Sequence, residues 1–202
     1  MDSRYGSMPG VIRTTVGYTG GTSAKPDYTN IGDHSEAIRV EFDPLVVTYA
    51  ELLAVFWDLH DPTSNPWSRQ YRNAIFYLNE SQQQQAEQSY ALQTQRSSSD
   101  ITTALEPARA FYPAEDYHQK YLLRQSFRIF SELRTIYPEA TDFAASTAAA
   151  RINGYLGCNG DPLMLQHQIE DFGLSRPVQE HLIKEVADSC EQFHGLTCPA
   201  PR

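Results

Sequence analysis

The hydrophobic period changes along this chain, and that change limits the folds open to it. Up to about residue 125, segments with alternating apolar residues, such as Ala37 to Phe42, are interleaved with segments whose apolar residues recur every three or four positions. From about Ser126 only the helical period remains. Strands mixed with helices predict an α+β core, and the later part predicts an all-helical extension.

Turn and cap residues divide these periods into elements. Strands are predicted at Val11 to Tyr18, Ala37 to Phe42, Tyr71 to Leu78 and Ile101 to Leu105. One helix is predicted to begin at Thr48, where Glu51 completes a capping box, and another is predicted to run from Glu80 to Arg96. Further helices are predicted to begin at Pro113, Asp161 and Ser175, and an Ala-rich helix is predicted to end at Asn153-Gly154. Their order suggests a split βαβ, ferredoxin-like core of two layers over residues 1–125, with helical residues 126–202 packed on it.

Charge and composition exclude several classes of partner. The net charge of -9 leaves no basic stripe for nucleic acid or an anionic membrane. No segment approaches the roughly 20 consecutive apolar residues of a spanning helix, so we expect a soluble chain and, by default, a cytoplasmic one. The three cysteines, Cys158, Cys190 and Cys198, lie in the last quarter and do not resemble a secreted disulfide framework; free thiols, one or two of them buried, are the simplest interpretation.

A few polar side chains stand where chemistry could occur. Glu36 shares the apolar side of its predicted strand with Ile38, and desolvation favours the neutral, proton-donating form of a carboxyl. The alternative is an exposed carboxylate at the strand entry. Tyr18 ends its strand beside two glycines, although it could be an ordinary half-buried aromatic. His34 and His60 lack further ligands at metal-binding spacing, so no metal site is predicted.

Four stretches in this order carry a family resemblance. They are Pro9-Gly10-Val11 through Tyr18-Thr19-Gly20-Gly21; Gly32-Asp33-His34-Ser35-Glu36-Ala37; Phe56-Trp57-Asp58-Leu59-His60-Asp61-Pro62-Thr63 with Gln70-Tyr71-Arg72; and Phe111-Tyr112-Pro113-Ala114-Glu115-Asp116-Tyr117-His118-Gln119-Lys120-Tyr121. Together they resemble the A-type methionine sulfoxide reductases, peptide-methionine (S)-S-oxide reductases, over roughly residues 1–125. The family is a group of protein-repair enzymes that counter oxidative stress.

The resemblance implies roles for particular residues. Glu36 would donate the proton to the departing oxygen, while Tyr18 and Tyr71 would hold the sulfoxide oxygen. Trp67 would add aromatic surface for substrate, or else close the edge of the core. The implied substrates are methionine (S)-sulfoxide in proteins and as the free amino acid, with no bound cofactor and with thioredoxin as reductant. We also expect a monomer.

The chain also departs from the family pattern. The nucleophilic cysteine belongs to a Gly-Cys-Phe-Trp motif that is absent here, and an aspartate of the family's longer loop has no counterpart in Ser64 to Arg69. We expect the motif to lie upstream of Met1, with true loss of the nucleophile as the alternative, and we expect the chain as it stands to be inactive. Cys158, between glycines, is the first candidate for the resolving cysteine and Cys198 the second, while Cys190 is expected to pack.

Two other functions remain open at this stage. The chain could be an inactive binding protein that recognises oxidised methionine peptides with the same tyrosines and carboxyl. Its helical extension could instead be an interaction surface beside a relic core.

Overall fold

The computed structural model describes residues 1–194, and its elements follow the two periods of the sequence. The strands are Val11–Thr19 (β1), Ser35–Phe42 (β2), Ala74–Tyr77 (β3), Ala104–Pro107 (β4) and Tyr112–Pro113 (β5). The helices are Asp2–Gly6 (α1), Tyr49–Asp58 (α2), Glu80–Arg96 (α3), Tyr121–Gln125 (α4), Phe127–Ile136 (α5), Ala140–Ala145 (α6), Thr147–Leu156 (α7), Pro162–Gln168 (α8) and Arg176–His194 (α9). The predicted α+β class with a helical C-terminal part is confirmed.

The chain forms two compact units. One consists of Met1 and Thr15–Glu115, and the other of Asp2–Thr14 and the residues from Asp116 onward. The structure therefore groups the N-terminal residues with the helices, whereas the sequence placed them in the core. As a division by family resemblance, the boundary near residue 125 stays a prediction.

The first unit combines two small sheets with helices. One sheet has the order β2-β1-β5, and β5 pairs antiparallel with β1; the other pairs β3 and β4 in parallel. Because α3 connects these parallel strands, β3-α3-β4 forms a βαβ unit. Its core is built from Leu53, Phe56 and Trp57 of α2, Ile75 of β3 and Ala86 of α3.

Local signals explain the helices of this unit. Thr48 accepts the backbone N–H of Glu51, whose carboxylate accepts that of Thr48, so the predicted capping box is present. Helix α3 has the predicted bounds, and Asn79 caps it by accepting from the N–H of Gln82 at 2.9 Å. Its glutamines are partly or fully exposed, and Ala86 is its buried residue.

The second unit has an apolar core among its helices. Buried members from four helices include Leu133, Phe143, Ile152 and Leu182. The stripe of α9 that the sequence predicted, at Leu182, Val186 and Cys190, is buried as expected.

A buried polar cluster holds α1 within this unit. Lys120 is fully buried, and its Nζ donates to the carbonyl of Thr14 at 2.7 Å, to Thr14 Oγ1 at 2.8 Å and to Asp2 Oδ1 at 3.3 Å. Asp2 Oδ2 also accepts from the backbone N–H of Lys120 and from Asn153 Nδ2. Burial lowers the pKa of Lys120, and the charge of Asp2 opposes that shift.

Two predicted helix boundaries are wrong. Pro113 pairs with Gly17 in the sheet, so no helix begins there, and α4 begins only at Tyr121. Asn153-Gly154 does not end a helix, because α7 continues to Leu156. Asn153 is satisfied by Asp2 and by the N–H of Leu123, and a Cβ on Gly154 would lie 2.7 Å from Ser7, so the small residue allows close approach inside the helix.

Among the helices of residues 1–194, none combines the length and hydropathy needed to span a bilayer.

Candidate functional site

Tyr18 is fixed by the sheet at the end of β1. It stands opposite Tyr112 of β5, and the N–H of Ala114 donates to the carbonyl of Val16 at 2.9 Å. The Tyr18 side chain is 1% exposed. Gly20 follows with φ of +83°, a conformation that suits glycine, and lets the chain leave the sheet at once.

Glu36 is the second residue of β2 and is partly buried, as is Ile38. It is therefore not the exposed carboxylate of the alternative interpretation. Glu36 Oε1 accepts a hydrogen bond from Gln70 Nε2 at 2.8 Å. A carboxylic acid can keep this bond and carry its proton on the other oxygen, so the contact suits both charge states.

The sequence predicted that Tyr71 begins a strand, and this is wrong. Tyr71 ends the 3₁₀ turn Arg69–Tyr71, and β3 begins only at Ala74. Long-range bonds impose this turn. The guanidinium of Arg69 donates to the carbonyl of Asp33 at 2.7 Å, and Arg72 Nε donates to Ser35 Oγ at 2.7 Å. Arg72 also forms a bidentate pair with Glu106 and holds the pKa of that carboxyl below its ordinary value.

Two hydrogen-bonded groups contain the three predicted site residues, and Tyr28 belongs to both, through its backbone N–H in one and its hydroxyl in the other. The Tyr18 hydroxyl donates to Glu115 Oε2 at 2.8 Å, and the N–H of Tyr28 donates to Glu115 Oε1 at 2.9 Å. The hydroxyl groups of Tyr28 and Tyr71 are 3.5 Å apart. Gln70 Nε2 then donates to both the Tyr71 hydroxyl, at 3.1 Å, and Glu36. The structure thus connects Tyr18, Tyr71 and Glu36, while their catalytic roles stay predictions.

The Tyr71 phenol keeps its proton across the physiological range. Its pKa is raised to about 12, first by the hydrogen bond with Tyr28 and then by desolvation and the nearby charge of Glu36. Gln70 donates to the Tyr71 oxygen, and in the contact between the Tyr71 and Tyr28 hydroxyl groups either oxygen can be the donor. Tyr71 is 39% exposed, so solvent or a ligand can reach it.

Trp67 lies at the surface beside this network. It is 84% exposed, which rules out the interpretation that it closes the edge of the core. Its ring lies 5.1 Å from the ring of Tyr71, between centroids, with an angle of 46°. An exposed indole against a site phenol is a suitable apolar surface for a ligand's methyl group, and this role remains a prediction.

The loop between β1 and β2 is tied back by Asp33 and His34. Asp33 accepts from the N–H and hydroxyl groups of Thr22 and Ser23, which lowers its pKa, the N–H of Ser23 contributing most. His34 is 1% exposed, with Nδ1 accepting from the N–H of Gly21 and Nε2 donating to the carbonyl of Ser23. Both nitrogens of His34 thus serve the loop, and among residues 1–194 no group of three or more His, Cys, Asp or Glu side chains could hold a metal ion.

The cysteines are placed differently from the prediction. Cys158 and Cys190 form a disulfide with a Cα–Cα distance of 5.4 Å. Cys190 does lie on the buried stripe of α9, but it is not a free packing thiol. Cys158 follows the end of α7, where its N–H donates to the carbonyl of Tyr155, so the glycines around it form a helix end instead of a swinging loop. Its role as a resolving cysteine stays a prediction, and Cys198 lies outside the described residues.

Sequence reasoning missed three members of the network. Glu115 and Gln70 stood inside quoted motifs, so their position beside Pro113 and Tyr71 was a usable signal. Tyr28 lies in a polar loop and had no such signal, because only the fold brings it to Tyr71 and Glu115.

Fold and site together define a class of protein. It is an α+β protein in which three phenols and two carboxyl groups lie in two hydrogen-bonded groups that share Tyr28, beside the β2-β1-β5 sheet. Such groups can hold a polar oxygen and supply it with a proton.

Comparison with known proteins identifies the family. The peptide methionine sulfoxide reductase family model matches residues 1–147, and the chain belongs to this family of oxidoreductases. A peptide methionine sulfoxide reductase from Drosophila melanogaster is 37% identical over 199 residues, covering 98% of this chain and 79% of that protein. A reductase A5 from Oryza sativa subsp. japonica is 39% identical, covering 76% of this chain and 62% of that protein. The crystal structure of reduced Mxr1 from Saccharomyces cerevisiae, 27% identical, covers 58% of this chain and 73% of that chain with a TM-score of 0.55.

Proposed function

We propose that this chain carries the oxygen-recognising and proton-donating part of a reductase for methionine (S)-sulfoxide. The observation behind the proposal is the pair of hydrogen-bonded groups, sharing Tyr28, that contain Tyr18, Tyr71 and Glu36 in a member of this family. A sulfoxide oxygen accepts hydrogen bonds strongly, so phenol donors bind it and discriminate against the sulfide.

In the proposed reaction a thiolate attacks the sulfoxide sulfur while Glu36 protonates the departing oxygen. The attack forms a bond between the thiol sulfur and the substrate sulfur. This S–S bond and the protonated S–O bond then break as the hydroxyl group moves to the thiol sulfur, so that a sulfenic acid forms there and methionine leaves as the sulfide. A second thiol then displaces the oxygen as water and forms a disulfide, which a dithiol reductant reduces. Tyr71 remains a phenol throughout, because its pKa is raised to about 12.

Residues 1–157 contain no cysteine that could act as the nucleophile. We propose that a Gly-Cys-Phe-Trp segment supplies it, as the resemblance predicts. We also propose thioredoxin as the dithiol reductant, a monomeric state and a cytoplasmic setting; the reductant follows from the resemblance, and the other two are simple expectations.

The test compares two extended chains, one preceded by a segment with Gly-Cys-Phe-Trp and the other by the same segment with serine for cysteine. With dithiothreitol as reductant, the first should reduce the S epimer of N-acetyl-methionine sulfoxide in preference to the R epimer, and the second should not. Glu36→Gln in the active chain should lower kcat by roughly 10²- to 10⁴-fold, the usual contribution of a general acid.

Each result separates the candidates. An extended chain that binds oxidised but not unoxidised methionine peptides without turnover would support the binding protein instead. An extended chain with neither turnover nor sulfoxide preference would overturn the proposal. Turnover with thioredoxin in place of dithiothreitol tests the proposed reductant. Comparison of that turnover between the active chain and its Cys158→Ser variant tests the resolving role of Cys158.

A further inference from the structure

Glu115 holds the Tyr18 hydroxyl from a fixed position. It lies two residues after β5, the strand whose Tyr112 stands opposite Tyr18, and both of its carboxylate oxygens are engaged. Oε2 accepts the Tyr18 hydroxyl at 2.8 Å, and Oε1 accepts the N–H of Tyr28 at 2.9 Å. Because β5 pairs with β1 up to Pro113, the sheet brings the backbone of Glu115 within side-chain reach of Tyr18.

The contact takes the proton that a sulfoxide would need. A phenol has one proton to donate, and an ionised carboxylate accepts it more strongly than a neutral oxygen does. While the Tyr18 hydroxyl donates to Glu115, it cannot donate to a substrate oxygen. A bound sulfoxide must therefore draw this proton away from Glu115.

We propose that Glu115 is a positioning residue that controls the Tyr18 hydroxyl by competing with the sulfoxide oxygen for its proton. The proposal rests on the proposed function and adds a second carboxyl to it. Glu36, which accepts from Gln70, delivers a proton, whereas Glu115, which accepts the Tyr18 hydroxyl, restrains one. The restraint keeps Tyr18 aligned when no substrate is bound, at the expense of affinity for sulfoxide.

Glu115→Gln tests the competition directly. The N–H of Tyr28 still requires an acceptor, so the amide oxygen should face it and the amide NH₂ should face Tyr18. The NH₂ then donates to the phenol oxygen, and the phenol proton becomes available to substrate. We expect the S epimer of N-acetyl-methionine sulfoxide methylamide to bind about fivefold more tightly, the order of change when a charge-assisted hydrogen bond no longer competes.

The measurement is isothermal titration of the chain as it exists, with the sulfoxide and with the corresponding sulfide. Only sulfoxide affinity should rise in Glu115→Gln, and the rise should vanish in a Tyr18→Phe background, because the proton is then missing. Glu115→Asp keeps the charge but shortens the reach to Tyr18, and should shift affinity in the same direction if Glu115→Gln does not fold. In the unliganded chain, proton NMR should show a slowly exchanging, downfield Tyr18 hydroxyl signal that Glu115→Gln removes.

The outcomes separate the two proposals. A wild-type chain without preference for sulfoxide over sulfide would overturn the proposed function, and the competition with it. Three results would overturn the role of Glu115 alone, provided that the wild-type chain prefers sulfoxide. The Glu115 variants could leave the sulfoxide affinity unchanged, change the sulfide affinity equally, or produce the same change in the Tyr18→Phe background.

Discussion

Lys120→Met should destabilise the second unit strongly, because it removes one partner of a buried ion pair. The Lys120 ammonium is fully buried and donates to Thr14 and Asp2. Removal of one member of such a pair typically costs about 3 to 5 kcal/mol in unfolding free energy, since the other charge is left without its partner. Asp2 keeps the N–H of residue 120 and the amide of Asn153 and is 14% exposed, so we expect the low end, about 3 kcal/mol.

The double variant Asp2→Asn/Lys120→Met isolates the pairing. A neutral asparagine side chain in place of the Asp2 carboxylate leaves no unpaired charge, so the double variant should be more stable than Lys120→Met by about 1 to 2 kcal/mol. Lys25→Met is the matched control. Lys25 also has a positive φ, 52° against 53° for Lys120, but its side chain is exposed, so its replacement should change stability by less than about 0.5 kcal/mol.

Urea unfolding with two probes locates the effect. Trp57 and Trp67 both lie in the first unit, so their fluorescence reports that unit, whereas far-UV circular dichroism is weighted toward the helices of the second. The loss should appear in the dichroism transition. Two results would refute the argument from buried charge. One is a loss of unfolding free energy in Lys120→Met no larger than that in Lys25→Met. The other is a loss in the double variant that equals the sum of the losses in Asp2→Asn and Lys120→Met measured separately.

Three further predictions concern other contacts. Replacement of Cys158 and Cys190 by serine should lower the unfolding free energy of the second unit by roughly 3 to 4 kcal/mol, because the disulfide closes a loop with a sequence separation of 32. Equal urea midpoints for the oxidised wild type and the variant would contradict this. Tyr28→Phe should bring the pKa of Tyr71 down from about 12, because the Tyr28 hydrogen bond is the largest cause of its rise. An alkaline NMR titration of the Tyr71 ring carbon measures this pKa, and an unchanged value would argue against the Tyr28 hydrogen bond as the cause. Burial lowers the pKa of His60 below its ordinary value of 6.5, so below that pH the unfolded state binds more protons than the folded state. The free energy of unfolding should therefore fall as pH falls through 6.5. Unfolding followed by tryptophan fluorescence across that range should show a smaller fall in His60→Asn.

Local signals in the sequence were sufficient for many elements. The capping box at Thr48 and Glu51, the bounds of α3 and the apolar stripe of α9 depend on neighbours within one or two turns, and all were predicted correctly. Glu36 and Tyr18 were chosen as candidates because motif and periodicity agreed at their positions, and their catalytic roles stay predictions.

Errors arose where distant residues decide the backbone. The 3₁₀ turn at Tyr71 depends on hydrogen bonds of Arg69 and Arg72 to residues more than thirty positions away, and no local pattern contains them. Glu115 was visible in a motif, but its bond to Tyr18 spans 97 positions. The Cys158–Cys190 disulfide was likewise hidden, since periodicity assigned each cysteine to its own element.

The arrangement of the second unit has a consequence for synthesis on the ribosome. Asp2 finds its partners at Lys120 and Asn153, so this unit cannot close until more than three quarters of the chain has been translated. Residues 15–115 are complete much earlier and bring their own core. The N-terminal helix must therefore wait for its partners while the first unit forms, and chaperones that bind nascent chains would meet α1 without its partners during that interval.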